Sequence, residues 1–184
     1  MLLQVHTIET APAKSAEILK QVKEKFGFVP NLMGVFAESP EILQAYLTLG
    51  DLVDRTTLTP LERQIAFISS SVANSCDYCV AAHTALSSMQ NLPAEVIESI
   101  RENRPITDAK LEALRKFVQS ATEKRGNVSE EEKAAFLEAG YTKQNILEII
   151  LVVGMKTLSN YTNHIAETPL DTPFESAKWQ KAAA

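Results

Sequence analysis

Apolar residues recur along the chain with the 3.6-residue period of an α-helix, and no segment alternates between apolar and polar residues as a strand does. In the first periodic segment, Ile18, Val22 and Phe26 lie at steps of four, and Gly27 supplies a helix end. The helices predicted from this period cover residues 13–27, 30–39, 40–54, 59–74, 75–89, 92–102, 107–126, 129–140 and 142–167.

Two helix starts carry the capping-box pattern, in which a Ser or Thr at the N-cap is followed three residues later by Glu. Thr59 and Glu62 form the first box, with Pro60 at the first helical position. Ser129 and Glu132 form the second. Both pairs therefore mark the first turn of a helix.

The whole chain is predicted to form one compact, multi-helix, all-α domain over residues 1–184, with an irregular tail from about residue 168. The last predicted helix has almost no polar face between residues 146 and 153. A helix that is apolar all round must be covered on every side. It is therefore either central to the domain or shared with another subunit.

Composition and charge narrow the function classes. Apolar residues make up 45% and charged residues 22%, as in soluble globular proteins, and the net charge of −5 argues against a nucleic-acid surface. The first residues lack a basic region followed by an apolar run, and the longest apolar stretch is too short to span a bilayer. We expect a cytoplasmic protein that binds neither nucleic acid nor membranes.

The segment NSCDYCVAAH contains both cysteines of the chain, Cys76 and Cys79, and a histidine, His83, four residues later. At a helix start, unpaired N–H groups and the helix dipole lower the pKa of a thiol, which favours Cys76 as the exposed, more acidic cysteine. The spacing places His83 near Cys79, where an imidazole can accept a proton or stabilise a thiolate. A dithiol peroxidase or a thiol–disulfide exchanger needs these three groups.

Two other interpretations fit the same residues. The cysteines can be buried thiols and the histidine a structural residue. A zinc ion can use these three side chains, but a closed site needs a fourth ligand, which only a coincidence of the fold would supply from His164. Asn160, Asn163 and His164 are weaker site candidates, because a polar helix end explains them equally well.

The string LTPLERQIAFISSSVANSCDYCVAAHTALS resembles the carboxymuconolactone decarboxylase superfamily in its alkylhydroperoxidase D-like branch, where a TPLER helix start precedes C-x-x-C-x-x-x-H. The segment FGFVPNLMGVFAESPEILQAY is similar to the one that precedes this motif in peroxidase-related members. The resemblance covers residues 26–90 and, loosely, the last helix. It implies an all-helical fold with the CxxC at the N-terminus of a core helix, and assembly as a trimer or hexamer.

The resemblance also implies roles for individual residues. The second cysteine of such members attacks the hydroperoxide and the first resolves it, which makes Cys79 peroxidatic and Cys76 resolving, with His83 in a proton relay. The best-known members have a relay glutamate twelve residues before the first cysteine, where this chain has Gln64, whose amide cannot transfer a proton as a carboxylate does. Tyr78 stands where those members can carry a histidine.

We therefore predict an antioxidant thiol oxidoreductase that acts on small hydroperoxides and is reduced by a thiol or disulfide protein. The sequence gives no basis for a metal or an organic cofactor. A carboxymuconolactone-type decarboxylase is one alternative, although that reaction does not call for a CxxC. A redox-sensing oligomer without strong catalysis is the other.

Overall fold

The computed structural model describes residues 3–180, and residues 1–2 and 181–184 of the predicted domain lie outside that range. Within the described range the regular structure is helical throughout and includes no strand, which confirms the predicted all-α class. The α-helices are α1 Ala13–Phe26, α2 Asn31–Phe36, α3 Pro40–Asp54, α4 Pro60–Ala73, α5 Asp77–Met89, α6 Ala94–Arg101, α7 Ala109–Glu123, α8 Glu130–Glu138 and α9 Lys143–Ala166. None of the helices between residues 3 and 180 has the length and apolarity needed to cross a bilayer.

Side-chain caps fix where several helices begin. Both capping boxes predicted from the sequence are present, at Thr59 for α4 and at Ser129 for α8. A third box starts α9, where the Asn145 side chain accepts from the Thr142 N–H at 2.9 Å and the Thr142 hydroxyl accepts from the Asn145 N–H. The sequence pattern missed it because an amide takes the place of the usual Glu.

Helix α4 lies at the centre of the domain and packs against α5, α6, α7 and α9. Most of its side chains from Gln64 to Ser71 are buried. Helix α9 crosses α4 and also contacts α2, α3 and α5. This crossing brings the C-terminal third of the chain next to the CxxC segment.

Helix α9 is buried on one face only, which differs from the all-round burial that its composition suggested. Ile149 and Val152 are fully buried against the core. Four large apolar side chains on the other face are more than half exposed in the single chain: Leu147, Ile150, Tyr161 and Ile165. These four residues form the α9 stripe.

The tail is more ordered than its two prolines predicted. A 3₁₀ helix covers Thr172–Ala177 and packs against α5, with Phe174 and Ala177 buried. The Trp179 indole N–H donates to the Arg101 carbonyl at 2.9 Å. The tail therefore forms part of the wall around the CxxC segment.

Candidate active site

The two cysteines lie at the junction between α4 and α5. Cys76 is the N-cap of α5, one position outside the helix, whereas the predicted helix began at about Ser75. Cys79 follows in the first turn of α5. Neither cysteine is in a disulfide, and both are buried, with exposures of 1% for Cys76 and 2% for Cys79. The expectation of an exposed first cysteine was wrong, because the tail and α9 cover this end of the helix.

The Cys79 sulfur is surrounded by polar groups. It accepts hydrogen bonds from the side chains of Cys76, Lys156 and Asn163. The Ser159 hydroxyl lies nearby and donates to the Lys156 carbonyl at 3.2 Å. Burial alone would raise the pKa of the Cys79 thiol, but the Cys76 hydrogen bond, the Lys156 charge and the Ser159 hydroxyl lower it well below its ordinary value. These neighbours therefore favour Cys79, rather than Cys76, as the more acidic thiol of the pair.

Cys76 behaves in the opposite way. Its thiol donates a hydrogen bond to Cys79, and this bond, together with burial and the neighbouring Cys79 charge, raises the pKa of Cys76. The helix dipole alone favours Cys76 as the more acidic thiol, whereas the side chains around the two sulfurs favour Cys79. One proton shared between two adjacent sulfurs stays on the one with fewer donors around it.

Lys156 is the group that sequence reasoning missed. It is fully buried on α9, and its Nζ lies 3.1 Å from His83 Nε2 and hydrogen-bonds the Cys79 sulfur. Burial disfavours the charged form, but the negative charge at Cys79 outweighs it and raises the pKa of Lys156. Its position in the sequence could have indicated this role. Lys156 lies on the same helix face as the buried Ile149 and Val152, and a buried charge needs a partner.

His83 has a partner at each ring nitrogen. Nδ1 lies 3.0 Å from Gln64 Oε1, and Nε2 lies 3.1 Å from Lys156 Nζ. An ammonium group can only donate, so Nε2 accepts and Nδ1–H donates to Gln64. Burial and the Lys156 charge hold the pKa of His83 well below its usual range. The ring is therefore neutral, stacks on Phe67 at 4.5 Å, and faces Lys156 rather than a sulfur.

A cavity of about 440 Å³ lies over Cys79. Gln64, His83 and Lys156 line its polar floor beside Cys79. Its walls are mainly apolar and include Phe28, Leu32, Met33, Leu47, Phe67, Leu86, Met155 and Phe174. Cys76 is not among the described residues that line this cavity. It therefore lies behind Cys79 as seen from the cavity.

Two other residues considered from the sequence, Tyr78 and Glu62, have hydrogen-bond partners other than the two sulfurs. The Tyr78 hydroxyl donates to Asp171 Oδ2 at 2.5 Å and accepts from the Leu32 N–H at 3.3 Å, which fastens the tail to α2. Burial, followed by the Asp171 contact, raises the pKa of Tyr78. Glu62 serves the α4 capping box and faces Lys110 at 3.6 Å, away from Gln64.

The three polar candidates near the end of α9 separate into different roles. Asn163 Nδ2 lies 3.2 Å from the Cys79 sulfur and 3.8 Å from that of Cys76. Asn160 instead joins α9 to α4, accepting from Asn74 at 2.9 Å. His164 is exposed and points elsewhere. Between residues 3 and 180, no three His, Cys, Asp or Glu side chains are grouped to hold a metal ion, so the zinc interpretation lacks a ligand set.

Solved structures of other proteins share the all-α fold described above. Residues 40–122 match the carboxymuconolactone decarboxylase family. No curated protein sequence matches the chain. Among solved structures, the chain is similar to the alkylhydroperoxidase AhpD core of an uncharacterized peroxidase-related protein from Ralstonia eutropha JMP134. The identity is 24% and the TM-score 0.82, over 93% of this chain and 92% of that one.

Two further structures share the fold. An uncharacterized peroxidase-related protein from Silicibacter sp. TM1040 is 21% identical, with a TM-score of 0.79 over 95% of this chain and 92% of that one. A cysteine-to-alanine variant of the debrominase Bmp8, in complex with 2,3,4-tribromopyrrole, is 16% identical, with a TM-score of 0.80 over 96% of this chain and 95% of that one.

The family match covers less than half of the chain, and the similar solved structures share its fold. The chain therefore contains a segment similar to the carboxymuconolactone decarboxylase family within a fold like that of the alkylhydroperoxidase AhpD core. This similarity is consistent with an enzyme-like role of the peroxidase-related or carboxymuconolactone decarboxylase type.

Proposed function

We propose that the protein is a dithiol peroxidase in which Cys79 attacks a hydroperoxide and Cys76 resolves the product. One observation carries this proposal: Cys79 lines a substrate-sized cavity that Cys76 does not line, and Lys156 beside it lowers the pKa of the Cys79 thiol. The thiolate is the reactive form of cysteine, and a neighbouring cation stabilises it.

The reaction proceeds in two steps that balance. The Cys79 thiolate attacks the terminal oxygen of the hydroperoxide, the O–O bond breaks, and the alkoxide leaves as an alcohol after gaining a proton. Cys79 is thereby oxidised to a sulfenic acid. The Cys76 sulfur then attacks that sulfur, a disulfide forms, and water leaves with the Cys76 proton. A dithiol returns two electrons and two protons by thiol–disulfide exchange.

The cavity supports small organic hydroperoxides as substrates, because most of its wall is apolar. Phe26 and Met89 line it and are 42% and 64% exposed, so the opening lies on their side. A thiol or disulfide protein, acting as reductant, would reach Cys79 through the same opening, because Cys79 lines the cavity and Cys76 does not.

The α9 stripe supports assembly with further copies of the chain, as a trimer or hexamer. Exposed apolar side chains that continue along one helix face are typical of protein interfaces. Light scattering coupled to size-exclusion chromatography of wild-type and Ile150→Lys protein tests this. A wild-type monomer, or an unchanged oligomer in the variant, would count against it.

The function is tested by peroxide consumption with dithiothreitol as reductant. Wild type should turn over cumene hydroperoxide continuously, Cys76→Ser should slow strongly once Cys79 is oxidised, and Cys79→Ser should be inactive. Wild-type protein that does not consume hydroperoxide contradicts the proposal. The substrate panel includes 2,3,4-tribromopyrrole because a debrominase shares the fold. Lactone decarboxylation that survives loss of both cysteines would point to a lyase instead.

A further inference from the structure

The proposed reaction needs a proton for the leaving alkoxide, and the site contains one buried ammonium beside the reacting sulfur. We propose that Lys156 is the general acid that protonates the leaving oxygen, and that His83 and Gln64 are positioning residues that hold its ammonium group. This inference rests on the proposed peroxidase function and assigns a role to a residue outside the CxxC-x-x-x-H motif.

The geometry gives Lys156 access to the leaving group. Its side chain lines the Cys79 cavity, and its ammonium donates to both the Cys79 sulfur and His83 Nε2. An ammonium carries three protons, so the third is available to the cavity. The leaving oxygen of a hydroperoxide lies one O–O bond beyond the oxygen under attack, and therefore in the space that Cys79 and Lys156 share.

The balance of charge in the site also requires Lys156 to lose a proton when Cys79 is oxidised. The titratable groups that act on Lys156 are Cys79, Tyr46, Cys76 and His83. Of these, the Cys79 thiolate supplies the main negative charge opposite the ammonium. Oxidation of Cys79 removes that charge, and a buried ammonium without a counter-charge is strongly disfavoured. Transfer of the Lys156 proton in the same step keeps the site neutral.

The balance closes over the full oxidation. The reduced site contains a thiolate, a Cys76 thiol, the Lys156 ammonium and the hydroperoxide. The oxidised site contains a disulfide and a neutral Lys156 amine, with one alcohol and one water released. Two electrons pass from the sulfurs to the peroxide, and solvent supplies no proton. Reduction by a dithiol then returns one proton to Cys76 and one to Lys156.

This arrangement accounts for Gln64 in the position of the family's glutamate. The Gln64 amide oxygen accepts the His83 Nδ1–H, which leaves the Nε2 lone pair for Lys156. A carboxylate at position 64 would favour a protonated imidazole, whose Nε2–H would repel the ammonium. The Gln64 amide is therefore compatible with Lys156 as the proton donor, and the proposed reaction needs no glutamate relay.

The inference is tested by leaving-group dependence in Lys156→Met, an uncharged variant of similar length. Rapid-quench mass spectrometry measures Cys79 oxidation by cumene hydroperoxide and by a peroxycarboxylic acid, whose carboxylate leaves without a proton. Iodoacetamide alkylation at each pH corrects for the thiolate fraction. After correction, the hydroperoxide rate should fall about 100-fold more than the peracid rate. An equal fall with both oxidants would overturn the general-acid role.

A second measurement on the wild type does not depend on folding of the variant. A single turnover with cumene hydroperoxide in weak buffer, followed with a pH indicator, should take up no proton as the disulfide forms. Uptake of one proton per disulfide in that phase would overturn the inference, because Lys156 would then have kept its charge. Wild-type Cys79 that is inert to every hydroperoxide would contradict the proposed function itself.

Discussion

Lys156 Nζ lies 3.1 Å from His83 Nε2 and also hydrogen-bonds the Cys79 sulfur, so the amino group of Lys156 rather than the His83 imidazole faces that sulfur. The His83 ring hydrogen-bonds the Lys156 amino group, and the Lys156 amino group hydrogen-bonds the Cys79 sulfur. This order differs from a relay in which the histidine acts directly on a cysteine. It makes the reactivity of Cys79 depend on a residue 77 positions further along the chain.

Iodoacetamide alkylation should show Cys79 reacting as a thiolate at neutral pH. The surrounding donors and Lys156 lower the pKa of Cys79, so its rate should stay nearly constant as the pH falls from about 8.5, the usual thiol value, towards 7. Lys156→Met removes the charge that lowers this pKa and should slow alkylation at pH 7. The exposed Lys143 on the same helix provides the matched control, Lys143→Met, which should behave as wild type. An ordinary thiol titration in the wild type would contradict the assignment.

Replacing Asn163 tests the hydrogen bond to the Cys79 sulfur. A hydrogen bond to a charged group is worth about 1.5–3 kcal/mol, so Asn163→Leu should raise the pKa of Cys79 by about one unit or more. The alkylation rate at neutral pH should fall accordingly. His164→Leu, at the exposed neighbouring position, should leave the rate unchanged. If both variants alkylate equally fast, Asn163 does not stabilise the thiolate.

A carboxylate at position 64 should impair this site rather than improve it. Gln64→Glu should charge His83 and displace the Lys156 ammonium, slowing Cys79 oxidation roughly tenfold, as expected for loss of a well-aligned charged contact. The effect should largely disappear when Gln64→Glu is combined with Lys156→Met, which removes the repulsion. Stopped-flow oxidation of the two single variants and the double variant measures the coupling. A faster reaction in Gln64→Glu would support the glutamate relay instead.

Tyr78→Phe tests how the tail is attached. The variant loses the 2.5 Å bond to Asp171 and leaves a buried carboxylate with one donor fewer. The free energy of unfolding should drop by about 1–3 kcal/mol in urea titrations. Trp179 fluorescence reports on the tail, because its indole binds the Arg101 carbonyl. Tyr161→Phe, at an exposed tyrosine, is the control, and equal stability of the two variants would contradict the proposed anchor.

Local patterns in the sequence predicted the helices well. The Thr59 and Ser129 caps mark helix starts because their partners lie only three residues away. The CxxC-x-x-x-H motif likewise marked the start of α5. What local patterns could not predict was which distant side chains meet there. Lys156 reaches His83 across 73 positions only because α9 crosses α4, and helical periodicity does not specify that crossing.

The choice between the two thiols depends on the same distant contacts. Position relative to the helix start favoured Cys76, but the three-dimensional neighbours decide the pKa. Lys156, Ser159 and Asn163 all come from α9 and converge on the Cys79 sulfur. Asn163 was a weak site candidate in the sequence, because a polar helix end explained it equally well. The next residue, His164, is exposed.

The assignment of Cys79 as the attacking residue is tested most directly by trapping the sulfenic acid. Cys76→Ser and Cys79→Ser are each treated with one equivalent of cumene hydroperoxide and dimedone, and adducts are located by peptide mass spectrometry. We predict a dimedone adduct on Cys79 in Cys76→Ser and none on Cys76 in Cys79→Ser. An adduct on Cys76 in Cys79→Ser, with none on Cys79 in Cys76→Ser, would contradict the account.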